Sequence, residues 1–247
     1  MTLTPAAWAL VLGTTAGLAN VAGGVIVVAR KHWNELVLKY FLALGAGFML
    51  AATFLRMLPE SLALSRHAPL LMLGGYFVVH FFEHTIAPHF HFGEEVHGDV
   101  MMNPAVGFSA LVGLSTHTFF DGVSIASGFL VSVPLGLLIF CAVALHKLPE
   151  GFTVASIALA SGRGKRGALI ASFVLAGATL AGVVFMHRFA GAVSYALPLS
   201  TGVTLYVAAS DLIPEVNEQR GTAMALVVFL GVALFYLTEL GLSRLGV

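Results

Sequence analysis

Four ionisable side chains recur at matched spacing in two apolar stretches of this sequence. His117 and Asp121 lie in "HTFFDG", and His146 and Glu150 lie in "HKLPEG". An ionisable side chain in the hydrocarbon of a bilayer costs about 2.5–3.5 kcal/mol on insertion scales, so a group of four requires partners or a task. Residues four apart on a helix share one face, with β-carbons about 5–6 Å apart. Each stretch therefore predicts one pair of side chains that can bind a cation together.

Two such pairs on facing helices would form a four-ligand site. Imidazole nitrogen and carboxylate oxygen suit zinc, and they also suit iron, manganese and cadmium. Pro149 predicts a kink that frees a backbone acceptor, which membrane helices tolerate where protein or a water-filled cavity receives it. Gly122 and Gly151 predict close approach by a neighbouring helix or by an ion. The alternative is a set of structural side chains that are hydrogen-bonded or ion-paired within the core.

The rest of the sequence has the composition of a membrane protein. Of its 247 residues, 58% are hydrophobic and 10% are charged, whereas about 25% are charged in a soluble domain. The formal net charge is zero, so there is no basic surplus for nucleic acid, and the lipid bilayer is the expected surrounding. Cys141 is the single cysteine, cannot form a disulfide within the chain, and is expected to be a small core residue.

Eight stretches are long enough to cross a bilayer core of about 30 Å, which requires roughly 20 apolar residues. They cover about 5–29, 36–57, 69–87, 103–130, 133–160, 167–187, 194–214 and 221–243. The first stretch lacks the basic region and clear cleavage site of a signal peptide, so we expect a retained helix. The short connections predict a single polytopic transmembrane domain over residues 1–247, in the class of all-α membrane proteins.

The placement of lysine and arginine predicts the orientation, because these residues favour cytoplasmic loops. With both termini outside, the inside loops hold the larger share, namely Arg30, Lys31, Lys39, Arg163, Lys165, Arg166 and Arg220. The outside loops hold Arg56, Arg66, Arg188 and Arg244. The loop "APHFHFGEEVHGDVMMN" is then cytoplasmic. Its His89, His91 and His97 are accessory candidates for metal capture, although histidine is also an ordinary loop residue.

An internal repeat relates the second and seventh stretches. When "GFMLAATFLRMLPE" at 47–60 is shifted by 155 positions it aligns with "GVTLYVAASDLIPE" at 202–215, and Pro59 and Glu60 match Pro214 and Glu215. The two stretches run in opposite directions in an eight-span chain. Inverted repeats around a central pair of helices are typical of secondary transporters, whose substrate sites lie near the midplane. The repeat therefore favours a transporter.

The segments "HTFFDGVSIASG" and "HKLPEGFTVASI" resemble the fourth and fifth spans of the ZIP family of divalent-metal transporters. "LPES" and "DLIPE" are similar to the ends of its second and seventh spans. The resemblance implies eight transmembrane helices in a 3+2+3 arrangement with inverted repeats, and a homodimer in many members. It also implies a transporter rather than an enzyme, with no prosthetic group. The expected substrates are divalent metals that move into the cytoplasm, with zinc as the main one and iron, manganese or cadmium as others. We expect a prokaryotic member in a bacterial plasma membrane.

The same resemblance implies roles for particular residues. The inner transport site falls on the four residues of the two motifs, His117, Asp121, His146 and Glu150. Met49 matches a position that supplies a thioether ligand in some members, although methionine is also a common core filler. Asp211 matches an acidic position near the cytoplasmic exit and would pass the ion onward.

Two positions depart from the family pattern. Many members have Asn or Asp directly after each motif histidine, which provides a second metal position, whereas this chain has Thr118 and Lys147. Thr118 offers only a hydroxyl, and a protonated Lys147 offers no acceptor. The ammonium could instead neutralise Asp121 and Glu150. We therefore expect one metal in the central site.

A zinc-dependent intramembrane hydrolase is the alternative function. Three protein ligands and an activated water are a general arrangement for hydrolysis, and Ser115, Ser124 or Ser127 could assist. The remaining ionisable groups of the spans lie near span ends, where a polar partner or snorkelling suffices, and are expected to be structural: His80, Glu83, His84 and Glu239.

Overall fold

The structure, a computed structural model, describes residues 4–29, 35–86, 104–218 and 222–244. These residues form eight long helices, α1 to α8 in chain order, and include no strand. Five helices are continuous: α1 Pro5–Ala29, α4 Pro104–Val131, α5 Val133–Ala160, α6 Gly164–Arg188 and α8 Thr222–Arg244. The prediction of an all-α membrane protein is confirmed.

The other three helices contain a π-helical turn. Helix α2 joins Glu35–Ala52, the π turn Thr53–Met57 and Leu58–Leu64. Helix α3 joins Ala68–Phe81 and the π turn Phe82–Ile86. Helix α7 follows a short 3-10 turn and joins Val193–Tyr206, the π turn Val207–Leu212 and Ile213–Asn217.

Within the described residues, six helical stretches are long and apolar enough to cross a membrane: Pro5–Ala29, Leu36–Leu64, Val133–Ala160, Gly164–Arg188, Ala190–Asn217 and Thr222–Arg244. Helices α3 and α4, which were also predicted to span the membrane, are not among these six stretches. Large apolar side chains face outward, and Leu70 and Phe229 are each 70% exposed. Such a surface fits lipid rather than water.

The inverted repeat is visible in the backbone of α2 and α7. Each helix has a π turn directly before a short α-helical segment with proline in its first turn. The shift of 155 that aligns Pro59 with Pro214 also places the π turn Thr53–Met57 on the π turn of α7. A π turn is an uncommon feature. Its recurrence at matched positions supports the predicted relationship between the two halves.

The packing of the helices follows the same symmetry. Helix α1 packs on α5 as α6 packs on α4, and α2 packs on α8 as α7 packs on α3. The central helices α4 and α5 pack on each other. This pattern is that of two three-helix repeats around a central pair, the 3+2+3 arrangement.

A sharp turn places the central helices side by side. Only Ser132 separates α4 from α5, and its extended backbone (φ −162°) ends the first helix. Its side chain accepts a hydrogen bond from Leu135 N at 3.3 Å, which caps α5. Because the turn is short, α4 and α5 run antiparallel, and both motifs reach a similar depth in the bundle.

Candidate metal centre

The α4–α5 hairpin brings all four predicted ligands together. His117 Nε2 lies 2.9 Å from Glu150 Oε1, and His146 Nε2 lies 3.3 Å from Asp121 Oδ2. Each histidine thus faces the carboxylate of the opposite helix. The two contacts are equivalent under the symmetry that exchanges α4 and α5.

The four side chains are almost completely buried, each 1% or 2% exposed. His117, Asp121 and Glu150 each offer one ligand atom, and these atoms lie within 4.8 Å of one another. His146 adjoins this group through its contact with Asp121. The arrangement supplies imidazole and carboxylate donors close enough to share one cation.

Lys147 and Thr118 complete the polar cluster. Lys147 Nζ lies 2.6 Å from Asp121 Oδ2 and 2.5 Å from Glu150 Oε2, and it donates to Thr118 Oγ1 at 3.1 Å. Thr118 in turn donates to Glu150 Oε1. The ammonium therefore lies between the two carboxylates, as expected from the sequence, and it offsets their charge in a dry environment.

His146 and His117 differ in the hydrogen-bond partner of their Nδ1 atom. His146 Nδ1 lies 3.2 Å from the carbonyl of Ala142, one turn earlier in α5. When Nδ1–H donates to this carbonyl, Nε2 of a neutral His146 carries a lone pair that can bind a metal. His117 Nδ1 is buried and has no hydrogen-bond partner among the described residues.

Helix α5 remains α-helical across Pro149, the residue at which the sequence predicted a kink.

A small cavity adjoins the cluster and is shared with α2 and α7. Its lining residues are three members of the cluster, one further carboxylate and three apolar side chains: His117, His146, Glu150, Asp211, Leu42, Val207 and Leu212. Asp211 is 4% exposed, and its Oδ2 has no hydrogen-bond partner among the described residues. An unsatisfied buried carboxylate is costly in an apolar environment.

Met49 lies among apolar side chains. It is fully buried in a cluster that includes Leu42, Ala208 and Leu212. This position suits a core filler, and Met49 does not line the cavity at the histidines. Its proposed role as a thioether ligand stays a prediction.

The other ionisable groups have neighbours on adjacent helices. Glu239 of α8 lies 3.5 Å from Arg56 of α2, which fits the structural role predicted for it. Glu83 does not snorkel; it is 7% exposed and lies near Tyr206 and Asp211 of α7. The sequence did not indicate this proximity, because it depends on the packing of α3 against α7.

The motif glycines serve helix packing rather than access by an ion. A β-carbon on Gly122 would overlap the carbonyl of Thr179 in α6, and one on Gly151 would overlap the carbonyl of Asn20 in α1. Asn20 was not singled out in the sequence, yet it is fully buried beside the cluster. The single amide side chain within the apolar stretch 5–29 was the available signal.

Two predicted groups remain to be placed. His89, His91 and His97 lie outside the described residues. Of the serines that could assist hydrolysis, Ser115 donates to the carbonyl of Leu111 in its own helix at 2.6 Å. Ser124 and Ser127 are buried, and their hydroxyls have no hydrogen-bond partner among the described residues.

Comparison with known proteins finds the same family that the two central motifs resemble. The family model described as "ZIP Zinc transporter" matches residues 91–239, which include both central motifs. The zinc transporter zipt-7.2 of Caenorhabditis elegans is 30% identical over 111 residues, 42% of this chain and 24% of that protein. The zinc transporter ZIP13 of Danio rerio is 28% identical over 149 residues, 56% of this chain and 42% of that protein.

A third relative is the ZIP13 homolog of Drosophila melanogaster, 29% identical over 139 residues, 52% of this chain and 39% of that protein. The chain thus spans less than half the length of each of these relatives. The family model nevertheless covers more than half of the chain, including the α4–α5 hairpin that carries the cluster of His117, Asp121, His146 and Glu150. This chain belongs to the ZIP zinc transporter family, a family of transporters rather than of enzymes.

Proposed function

We propose that this protein transports divalent metal ions across the membrane into the cytoplasm, with residues 1–247 acting as one polytopic unit. The observation that carries the proposal is the group of His117, Asp121 and Glu150 ligand atoms within 4.8 Å of one another, inside the helical bundle. Ionisable groups at this depth are retained where they bind or pass a charged substrate. Membership in a family of zinc transporters supports the same substrate class.

The charge of the central cluster suits a divalent cation. Two carboxylates and one ammonium leave a net negative charge when both histidines are neutral, so an arriving cation is attracted. Imidazole nitrogen and carboxylate oxygen bind zinc without excluding iron, manganese or cadmium. Zinc is proposed as the preferred substrate.

Asp211 is proposed as the next contact of the ion after the central site. It shares a cavity with His117 and Glu150, and its Oδ2 has no partner among the described residues. A cation that passes along the cavity would satisfy this acceptor. The proposed direction is toward the histidine-bearing loop, on the side assigned to the cytoplasm by the lysine and arginine distribution. A bacterial plasma membrane and a homodimer stay predictions.

Uptake into sealed vesicles tests the proposed function. Purified protein would be reconstituted into liposomes, and zinc, cadmium, manganese and iron(II) would be offered outside to vesicles with and without protein. Protein-dependent accumulation of zinc is expected. Lack of accumulation of every metal by folded, inserted protein, together with turnover of a lipid or peptide substrate, would contradict transport and favour the hydrolase.

A further inference from the structure

Asn20 of α1 touches the central cluster from a helix that carries none of the predicted ligands. The terminal amide atom facing α5 lies 2.5 Å from Lys147 O and 3.2 Å from Glu150 Oε2. Both of these oxygens are acceptors, so the amide atom between them is the nitrogen, which donates to both. Asn20 is 0% exposed, so water cannot replace either bond.

The symmetry-related residue in α6 shows which part of the Asn20 contact is helix packing and which part involves the cluster. Asn20 of α1 opposes Gly151 of α5, and its symmetry equivalent, Thr179 of α6, opposes Gly122 of α4 in the same backbone contact. Thr179 is equally buried, yet its hydroxyl donates to Leu175 O in its own helix at 3.3 Å. A threonine therefore suffices for the close helix contact. The amide of Asn20 has a further partner, and that partner is the metal cluster.

We infer that Asn20 is a positioning residue for the metal site, which orients the Glu150 carboxylate and fixes the backbone at Lys147. Lys147 and Asn20 bind Oε2 of Glu150, and Oε1 is turned toward His117. Donors that hold one oxygen of a carboxylate leave the other directed at the metal, and loss of such supporting groups typically costs about 10–100-fold in metal affinity. This inference rests on the proposed function in taking Glu150 as a ligand.

Asn20→Thr tests the inference with the side chain that the symmetry-related contact already accommodates. Thr179→Val is the matched control, because it changes a buried residue at the equivalent contact whose hydroxyl donates within its own helix. Purified parent, Asn20→Thr and Thr179→Val would be titrated with Cd²⁺ by calorimetry. Their Co²⁺ complexes would be compared by visible absorption, and the unfolding temperature of the metal-free proteins would be measured.

Asn20→Thr should weaken Cd²⁺ binding roughly 10–100-fold and change the Co²⁺ spectrum, while Thr179→Val keeps the affinity and spectrum of the parent. Parent-like affinity and spectrum in Asn20→Thr would overturn the inference. So would an equal loss in both variants that follows a shared fall in unfolding temperature. If Asn20→Thr does not fold, Asn20→Ser, which removes atoms without adding any, replaces it with the same expected loss.

Vesicle uptake separates this inference from the proposed function. A parent protein that binds Cd²⁺ but does not transport any metal would contradict the proposed function, and the positioning role would stand on the binding data. A parent that transports zinc while Asn20→Thr binds metal normally would contradict the positioning role alone. A folded parent that binds no metal would overturn both.

Discussion

Lys147 Nζ lies 2.6 Å from Asp121 Oδ2, across the interface between α5 and α4. The same ammonium lies 2.5 Å from Glu150 Oε2, so one cation of the protein already bridges the two carboxylates. The side chains of Lys147 and Asp121 are at most 2% exposed. A fixed positive charge at this point opposes a second metal ion there.

Changing Lys147 to Asp should raise the number of metals bound per chain from one to two. The substitution removes the ammonium and adds a carboxylate beside Asp121, which is then free to bridge two ions. Dialysis against Cd²⁺ followed by elemental analysis measures the ratio, with His89, His91 and His97 replaced by alanine in every protein so that the loop histidines do not add to the count. Lys165→Asp is the matched control, since Lys165 is exposed in the first turn of α6 and the substitution makes the same change of charge away from the cluster. Two metals per chain in the protein that keeps Lys147 would contradict the single-metal site.

Asp211→Asn should slow transport and leave binding at the central site intact. The substitution keeps the shape of the side chain but removes the charge that would receive the ion, and contacts to charged groups are worth about 1.5–3 kcal/mol, so a fall of roughly tenfold or more in the uptake rate is expected. Cd²⁺ affinity in solution and zinc uptake by vesicles measure the two effects. Glu239→Gln, which removes the charge that pairs with Arg56, should leave both unchanged. Normal uptake by Asp211→Asn would remove Asp211 from the path.

Replacing His89, His91 and His97 together should leave substantial transport. Their loop precedes α4 in the sequence and lies outside both central motifs, so we expect these histidines to capture an ion without controlling its passage. Zinc uptake by the triple alanine variant is the measurement, with membrane insertion checked in parallel. Complete loss of uptake by a folded variant would place the loop in the obligatory path.

Gly151→Ala should destabilise the protein by about 1–3 kcal/mol, because the added methyl group meets the backbone carbonyl of Asn20 and cannot be accommodated by a side-chain movement. Gly177→Ala in α6 is the control, since a β-carbon there has no atom within 4 Å. Alanine at this second site should keep or raise stability, by up to about 1 kcal/mol. Unfolding temperatures in detergent compare the two. Equal stability of both variants would contradict the close α1–α5 contact.

The sequence was sufficient for the features that depend on local spacing. The interval of four residues in each motif placed His117 with Asp121 and His146 with Glu150, and both pairs do lie on the facing sides of α4 and α5. The proline and glutamate shared by "MLPE" and "LIPE" revealed the repeat of α2 and α7. These signals survive because a helix fixes the relative positions of its own residues.

The pairing of individual side chains on different helices could not be predicted in this way. The pairing of His117 with Glu150 across the hairpin depends on the register of α4 against α5. The bond from Asn20 to Glu150 and the approach of Glu83 to Asp211 depend on how α1 packs on α5 and how α3 packs on α7. Spacing along one helix carries no information on these distances.

Zinc uptake by reconstituted vesicles containing His146→Ala or Glu150→Ala protein tests the central claim most directly. Each variant removes one metal donor from the buried cluster, and His187→Ala, near the end of α6, is the matched control for a histidine outside it. If His117, Asp121, His146 and Glu150 bind the ion jointly during transport, both site variants should insert normally and show abolished or strongly reduced uptake, and His187→Ala should transport like the parent. Parent-like uptake by both site variants would contradict the account.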